Sequence, residues 1–207
     1  MRGAHVAVIL DNLAAGGGRV ELLAGDPSLE HADIDAAVSS AAELTRERVV
    51  PIRTGALEIR VAPGDAHTVR NAPLRAVPAR GRGRLAIEVT ITHDVPPTQQ
   101  YEQAGITWYH NGKPVLKLVQ ELVDGHLMII PGRARLDSQT VQLRLIVTAD
   151  RWTAQYRPDA QGDFLPAGEG TLPPPGNDQV SLQCYHGPPD GEHCIRFDDF
   201  RIRRLAD

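Results

Sequence analysis

The sequence has no apolar run that approaches the roughly 20 residues needed to cross a bilayer as a helix, so no membrane span is expected. Strong charge of either sign is also missing, since the formal net charge is -4 and the pI is about 6.1. This balance provides no electrostatic attraction for nucleic acid or an anionic membrane, and neither is expected as a partner. Asp11 and Asn12 interrupt the apolar N-terminal stretch before it resembles a secretory signal, which favours a cytoplasmic protein.

Cysteine is scarce as well, because Cys184 and Cys194 are too few for a disulfide framework. They flank a predicted hairpin, so a bridge between them is geometrically possible, although two free buried thiols are the expected state in a cytoplasmic chain. His186 and His193 lie in the same hairpin, and two Cys with two His can bind zinc. Their spacing matches no standard zinc pattern, and adjacent His193 and Cys194 point to opposite faces of a strand. We therefore predict neither a metal nor another cofactor.

The composition that remains is that of one globular domain over residues 1–207, with 42% hydrophobic and 23% charged residues. Nineteen Gly and 16 Pro separate short β-like runs, as an all-β sandwich requires. In residues 1–54, the pieces HVAVIL and RVELLAG are predicted strands joined through Gly16–Gly18, and residues 33–48 are the one predicted helix. A phosphate-binding loop at these glycines is disfavoured because neither G-K-[ST] nor G-x-G-x-x-G is present.

From residue 55 onward, apolar and polar residues alternate with the period of a half-buried strand. The clearest inward sets are Leu57, Ile59 and Val61; Leu85, Ile87, Val89 and Ile91; and Val141, Leu143, Leu145 and Val147. Further strands are predicted in RWTAQYRP, QVSLQCYHG and HCIRFDDFRI. Strands at this spacing without intervening helices indicate a two-sheet antiparallel jelly-roll sandwich with one short N-terminal helix.

The stretch YEQAGITWYHNGKPVLKLVQELVDG, residues 101–125, predicts a hairpin in detail. A two-residue loop at Asn111-Gly112 would pair Ile106 with Lys117 and mix the two faces of the sheet. A three-residue loop with a Gly bulge pairs Trp108 with Leu116 and Ile106 with Leu118, so that the apolar faces agree. This register also sets Thr107 opposite Lys117 and Gln103 opposite Glu121.

The other face of this hairpin carries amide, hydroxyl, cationic and carboxylate groups, which together can bind sugar hydroxyls while an aromatic ring stacks on a sugar. The predicted ligand-binding residues, including neighbours from other strands, are Gln103, Thr107, Tyr109, Lys117, Glu121, Arg144, Gln155 and Tyr185. An ordinary solvated face, on which Lys117 and Glu121 form a surface pair of little energetic value, is the alternative.

These residues, together with VQLRLIVTADRWTAQYRPDAQGDF and IRFDDFRI, resemble the concanavalin A-like lectin/glucanase superfamily. They are most similar to small bacterial and fungal members with a Y-[DE]-Q-A-G strand, here 101–105, and a K-x-x-x-E-x-x-D-G hairpin, here 117–125. The resemblance covers residues 55–203 and implies a jelly roll whose concave face binds or cleaves glycans in many relatives. By this analogy, Gln103, Thr107, Lys117 and Glu121 lie on that face.

The resemblance leaves three functions open, because one fold hosts many. Recognition of an oligo- or polysaccharide on the concave face is the first. The second is a glycoside hydrolase or polysaccharide lyase, although the E-x-D-x-(x)-E strand of the glucanases is missing. Such an enzyme would use Glu121 with Glu88 as its carboxyl pair, or Tyr109 or His110 as base beside Lys117 or Arg144. A protein-interaction module is the third, and the oligomeric state stays open.

Overall fold

The computed structural model of the chain describes residues 19–25, 29–32, 34–35, 49–51, 56–68, 72–81, 83–158 and 161–205. The chain divides into two compact units, Met1–Arg48 and Val49–Asp207. Within the described residues, no helix is both long and apolar enough to cross a membrane.

In the first unit, helix α1 spans Arg19–Gly25, so the prediction of a strand in RVELLAG is wrong. Arg, Glu, Leu and Ala are good helix formers, and Glu21 lies in the first turn, where a negative charge favours the helix dipole. Of the helix predicted over 33–48, only residues 34–35 are described, and they are helical. The strand predicted in HVAVIL lies outside the described residues.

In its described residues the second unit forms thirteen strands, which confirms the predicted all-β class. They are β1 Val49–Pro51, β2 Leu57–Arg60, β3 Leu74–Ala76, β4 Arg84–His93, β5 Gln103–His110, β6 Lys113–Val123, β7 His126–Ile130, β8 Ala134–Arg135, β9 Thr140–Val147, β10 Arg151–Arg157, β11 Leu165–Thr171, β12 Asp178–Tyr185 and β13 Cys194–Leu205. One sheet has seven strands in the order β1-β2-β13-β4-β9-β10-β11, and the other has six in the order β3-β12-β5-β6-β7-β8. The paired strands are antiparallel.

The core lies between the two sheets and is built from the alternate residues that the sequence pattern predicts. Ile87 and Val89 of β4, Leu143 of β9, and Ile106 and Trp108 of β5 are all fully buried in it. Strand β11 escaped prediction, because LPAGEGT contains Pro166 and two glycines. It forms an edge of the seven-stranded sheet, where proline is tolerated since no ladder hydrogen bond is required on the outer side.

Polar side chains also lie inside the sandwich, at the end where β4 finishes and β5 begins. His193 Nδ1 lies 2.7 Å from Glu102 Oε1, and the side chain of Glu102 is fully buried. Backbone amides of residues 98 and 99 donate to the second Glu102 oxygen. His93 is buried beside this pair, and neither of its ring nitrogens has a hydrogen-bond partner among the described residues. Burial lowers the pKa of His93 to about 4, and the charge of Glu102 only partly opposes this.

Acid is therefore expected to destabilise the protein through His93. Between pH 6.5 and about pH 4, His93 is protonated in the unfolded chain but neutral in the folded protein. The free energy of unfolding therefore falls as pH falls through this window. At about 1.4 kcal/mol per unit of pKa shift, the loss is on the order of 3 kcal/mol. Chemical denaturation across this range should show that His93→Leu removes most of the dependence. His126→Gln, which removes an exposed imidazole, should leave the dependence intact, and an unchanged slope in His93→Leu would contradict the account.

Candidate functional site

The predicted register of the hairpin between β5 and β6 is confirmed, although its loop is not the predicted one. Trp108 pairs with Leu116, Thr107 with Lys117, and Gln103 with Glu121. The loop itself is the two-residue Asn111-Gly112 turn, with both residues at positive φ. A register shift after Trp108, which leaves one extra residue on β6, then restores the pairing that keeps the apolar faces together.

The odd-numbered residues of β5 and β12 point away from the core, because their even-numbered neighbours fill it. Together with two residues of β6 they form one surface, which we call the polar face of the six-stranded sheet. Its members are Gln103, Thr107, Tyr109, Lys117, Glu121, Ser181, Gln183 and Tyr185. Strand pairing sets Thr107 beside Ser181 and Gln103 beside Tyr185. Of the predicted ligand-binding residues, six lie on this face.

Lys117 is held on the polar face by two neighbours. Its Nζ donates to Gln103 Oε1 and to Glu121 Oε2, each at 2.8 Å. Gln103 and Glu121 are buried, whereas about a third of the lysine side chain is exposed. An ammonium has three donors, and among the described residues the third has no acceptor. The Lys117–Glu121 pair is thus more than a solvated surface pair, since it fixes one cation with a donor to spare.

Residues 62–68 form a loop beside this face and are anchored to it by backbone bonds. Ala62 makes a parallel bridge with Tyr185, and the amide of His186 donates to Gly64 O at 3.1 Å. Tyr109 adds a side-chain bond, because its hydroxyl donates to Ala66 O at 3.1 Å and accepts from Gln183 at 2.7 Å. With both roles of its hydroxyl occupied, Tyr109 anchors the loop and does not match the predicted part of a base.

An open cavity of about 210 Å³ lies between this loop and the polar face. It is lined by Ala66, His67, Thr107, Pro114, Val115, Leu116, Lys117 and Tyr185. Burial, reinforced by the charge of Glu121, raises the pKa of Tyr185 well above its usual range. Tyr185 therefore stays protonated and acts as a neutral hydrogen-bonding hydroxyl, so the cavity combines one cation, one phenol and an apolar wall.

Three side-chain oxygens of the polar face are buried without a hydrogen-bond partner among the described residues. They are Thr107 Oγ1, Ser181 Oγ and Gln183 Oε1. Leaving such an atom unsatisfied costs about 1–3 kcal/mol, so ordered water or a bound group is expected to satisfy these oxygens. Thr107 combines this property with a place in the cavity wall.

Ser181 and Gln183 were not predicted, although their alternation with Val180, Leu182 and Cys184 shows that they share one face. What the sequence does not state is that β12 lies next to β5, more than 70 residues earlier in the chain, which follows from the sheet order. The same limit applies to Ala66 and His67, whose loop is held at the site by a long-range bridge between Ala62 and Tyr185.

Glu88, Arg144 and Gln155 do not belong to this site, which corrects the prediction that they neighbour it. They lie side by side on β4, β9 and β10 of the seven-stranded sheet, on the face that points away from the core. Glu88 accepts from both Arg144 and Arg203. Burial alone would raise the pKa of Glu88, but hydrogen bonds from Arg203 and Arg144 outweigh it and lower the pKa. Glu88 is a paired carboxylate on a different sheet from Glu121.

His110 is also separate from the cavity. Its Nδ1 lies 2.9 Å from Asp178 Oδ1, and its Nε2 lies 3.0 Å from the side-chain nitrogen Nδ2 of Asn111. Asp178 in turn accepts from Arg80 at 2.7 Å. Both ring nitrogens are therefore occupied, and His110 ties the hairpin to the start of β12 instead of serving as the predicted base.

Cys184 and Cys194 are free thiols, and only Cys184 is fully buried. Burial raises the pKa of the Cys184 thiol well above its ordinary value, so it is a poor nucleophile and packs as a small apolar side chain. Among the described residues, no group of three or more His, Cys, Asp or Glu side chains could hold a metal ion.

The fold of this chain is similar to the folds of several solved structures. No protein-family model and no curated protein matches the sequence. The GH43 protein BlXynB of Bacillus licheniformis is similar in structure, with a TM-score of 0.58 and 17% identity, over 74% of this chain and 34% of that one. This chain thus spans about a third of that protein.

Two further solved structures are matched over most of their length. A functionally unknown protein from Saccharomyces cerevisiae has a TM-score of 0.55 and 13% identity, over 78% of this chain and 94% of that one. The alginate lyase from Klebsiella pneumoniae has a TM-score of 0.53 and 10% identity, over 78% and 85% of the two chains. At such identities the likeness establishes the fold alone: the chain is a two-sheet antiparallel jelly-roll sandwich, the fold that its sequence resemblance implied.

Proposed function

We propose that the polar face binds an oligo- or polysaccharide. The observation that carries this proposal is that one open cavity is lined by a fixed ammonium with a donor to spare, a phenol and a threonine. Lys117 supplies the donor and Thr107 supplies a hydroxyl oxygen. A ligand group that can accept from one and bond to the other satisfies both at once.

Sugars have the chemistry that this cavity complements. Each hydroxyl of a sugar both donates and accepts, so adjacent hydroxyls can bond to Lys117, Thr107 and the protonated Tyr185 together. The C–H faces of a sugar ring are apolar, and Val115, which is 44% exposed, offers an apolar contact on the cavity wall. A purely charged ligand would not use this wall.

The similar structures support a glycan as the ligand class, since they include the GH43 protein and the alginate lyase described above. They support an enzyme as strongly as a binding module, so a glycan-degrading activity is the second candidate. The residue pair Glu88 and Glu121 cannot carry hydrolysis, because a two-carboxylate mechanism needs carboxyl groups about 5–9 Å apart across one bond and these lie on different sheets. A lyase is better matched: Lys117 would neutralise a uronate carboxylate, His67 would take the proton from the adjacent ring carbon, and the protonated Tyr185 would donate a proton to the leaving glycosidic oxygen.

A panel of xylan, arabinoxylan, alginate, polygalacturonate and chitin oligosaccharides tests the proposal. We expect the protein to bind at least one of them, and Glu121→Gln to weaken that binding about tenfold, because the variant loses the charged partner that positions Lys117. Titration calorimetry measures the affinity. Glu169→Gln is the matched control, since it removes an exposed carboxylate of β11 on the other sheet.

The same samples separate the two candidates. New reducing ends without unsaturated products, lost in Glu121→Gln, would show hydrolysis on this face. New reducing ends accompanied by unsaturated products that absorb in the ultraviolet would show a lyase. Binding without either product supports recognition alone. If Glu121→Gln binds as tightly as the wild-type protein, the polar face is not the binding surface. If no glycan in the panel binds, a protein-interaction role becomes the better explanation of the fold.

A further inference from the structure

Tyr101 lies just before β5. Among the described residues, it is the one large aromatic side chain that is exposed. Nearly half of its surface, 49%, is accessible, and the remaining exposed large hydrophobic residues there are aliphatic. Its backbone has a φ of 69°, a conformation that is uncommon for any residue except glycine and unfavourable for a bulky one. The residue thus combines an exposed ring with a strained backbone.

This backbone is fixed from two sides. The amide of Tyr101 donates to Leu122 O at 2.8 Å, and its carbonyl accepts from Gln103 Nε2 at 2.8 Å. Gln103 is the same side chain whose Oε1 accepts from Lys117, so one amide joins the strained residue to the cation in the cavity. Strain that neighbouring groups maintain in this manner is concentrated at functional sites.

The ring of Tyr101 also belongs to a row of rings that begins in the cavity. Tyr185 lines the cavity, and its ring lies 5.5 Å from that of His186. The ring of His186 lies 6.3 Å from that of Tyr101 and meets it edge-on, at 64°. His186 itself has a φ of 61°, so a second strained residue holds the row together. The row leads from the cavity to the exposed ring.

We propose that Tyr101 is a stacking subsite for a further sugar unit beyond the one in the cavity. This inference rests on the proposed glycan binding and deepens it, because it makes an extended chain, rather than a single sugar, the ligand. The exposed face of the Tyr101 ring packs against the C–H face of a sugar several units along the chain from the one that bonds to Lys117 and Thr107, because six residues of strand separate Tyr101 from Thr107 by roughly 20 Å. Affinity then rises with the length of the chain until Tyr101 is reached.

Variants at Tyr101 can separate this role from a structural one. Asn tolerates positive φ far better than Tyr, so Tyr101→Asn removes the ring and relieves the backbone strain. We expect this variant to be as stable as the wild-type protein, or more stable, and yet to bind long oligosaccharides about tenfold more weakly. Tyr101→Phe retains the ring and should bind like the wild-type protein. The probes are xylose and mannuronate oligomers of one to six units, and the measurements are titration calorimetry and thermal unfolding.

Each outcome decides the inference. The subsite is supported if affinity rises with oligomer length in the wild-type protein, and if Tyr101→Asn abolishes this rise without losing thermal stability. Wild-type affinity of Tyr101→Asn across a series that the wild-type protein binds overturns the subsite and leaves the cavity proposal standing. If Tyr101→Asn loses the same affinity for the shortest and the longest oligomers and is also less stable, Tyr101 is a structural residue and the subsite inference is wrong. If the wild-type protein binds neither series, the subsite inference fails for these two sugar classes, while the wider panel still decides the proposed function.

Discussion

Replacing Gly105 by alanine is expected to lower the free energy of unfolding by about 4 kcal/mol or more, a large share of the 5–15 kcal/mol typical of a domain. A Cβ at this position would lie 2.3 Å from Leu118 O and 2.8 Å from the Cα of Val119. Both are backbone atoms of β6, so no side-chain rotation can relieve the overlap, and the two central strands must separate. The φ of 155° adds a backbone conformation that alanine rarely adopts.

Gly112→Ala is the matched control for this prediction. Gly112 also has a positive φ, 76°, but a Cβ there meets nothing within 4 Å. Gly112→Ala should lower the free energy of unfolding by only about 1–2 kcal/mol, which is the penalty of the left-handed conformation alone. Denaturant titrations of both variants give the comparison, and equal losses would show that the close approach of β5 and β6 is not what requires Gly105.

Lys117→Met is expected to reduce glycan affinity about 100-fold, the largest effect of any single substitution on the polar face. The variant keeps the apolar stem and removes the cation whose free donor faces the cavity, and charge-assisted hydrogen bonds are the strong ones, at about 1.5–3 kcal/mol each. It also releases Gln103, whose amide orders Tyr101. Titration calorimetry with the ligand found in the panel measures the loss.

Two further variants keep this result interpretable. Lys113 and Lys117 are the chain's only lysines, and Lys113→Met removes the exposed one at the hairpin end, so it should bind normally. Lys117→Met alone leaves Glu121 buried without its cation, which is destabilising. Adding Glu121→Gln removes that unpaired charge and should restore stability without restoring binding. Recovery of binding in the double variant would show that the loss came from misfolding.

The register of the β5–β6 hairpin could be predicted because it depends on local information. Only one pairing places Trp108 and Ile106 opposite Leu116 and Leu118 on the core side, and one-residue slips mix the faces. The same pairing fixes Gln103, Thr107, Lys117 and Glu121 on the opposite face. The loop was wrong in detail because an Asn-Gly turn with a later register shift gives the same register as a longer loop.

The rest of the site could not be predicted, because alternation assigns a residue to a face without assigning its strand to a sheet. Glu88 and Arg144 follow the same outward pattern as Lys117, yet β4 and β9 belong to the other sheet. His110 is occupied by Asp178, which is 68 residues away in sequence. Long-range strand order decides both cases, and it is not contained in any local pattern.

Buried polar residues were also difficult to predict from the sequence. Glu102 was not among the predicted core or site residues, although its side chain has no accessible surface and pairs with His193. Gln120, the one polar residue on the apolar side of β6, was recognisable as discordant. Its side-chain nitrogen donates to Leu136 O and Ser138 O, so both N–H groups of this buried glutamine are satisfied.

The measurement that most directly tests glycan binding by the polar face is an NMR titration of protein with isotope-labelled lysine. Because the chain has only Lys113 and Lys117, two side-chain ammonium signals are expected, and the bonds to Gln103 and Glu121 should slow proton exchange at Lys117. The panel of xylan, arabinoxylan, alginate, polygalacturonate and chitin oligosaccharides is added in turn. We predict that at least one ligand shifts the Lys117 signal and leaves that of Lys113 in place. Binding that moves neither signal, or moves that of Lys113 alone, would contradict a ligand site on the polar face.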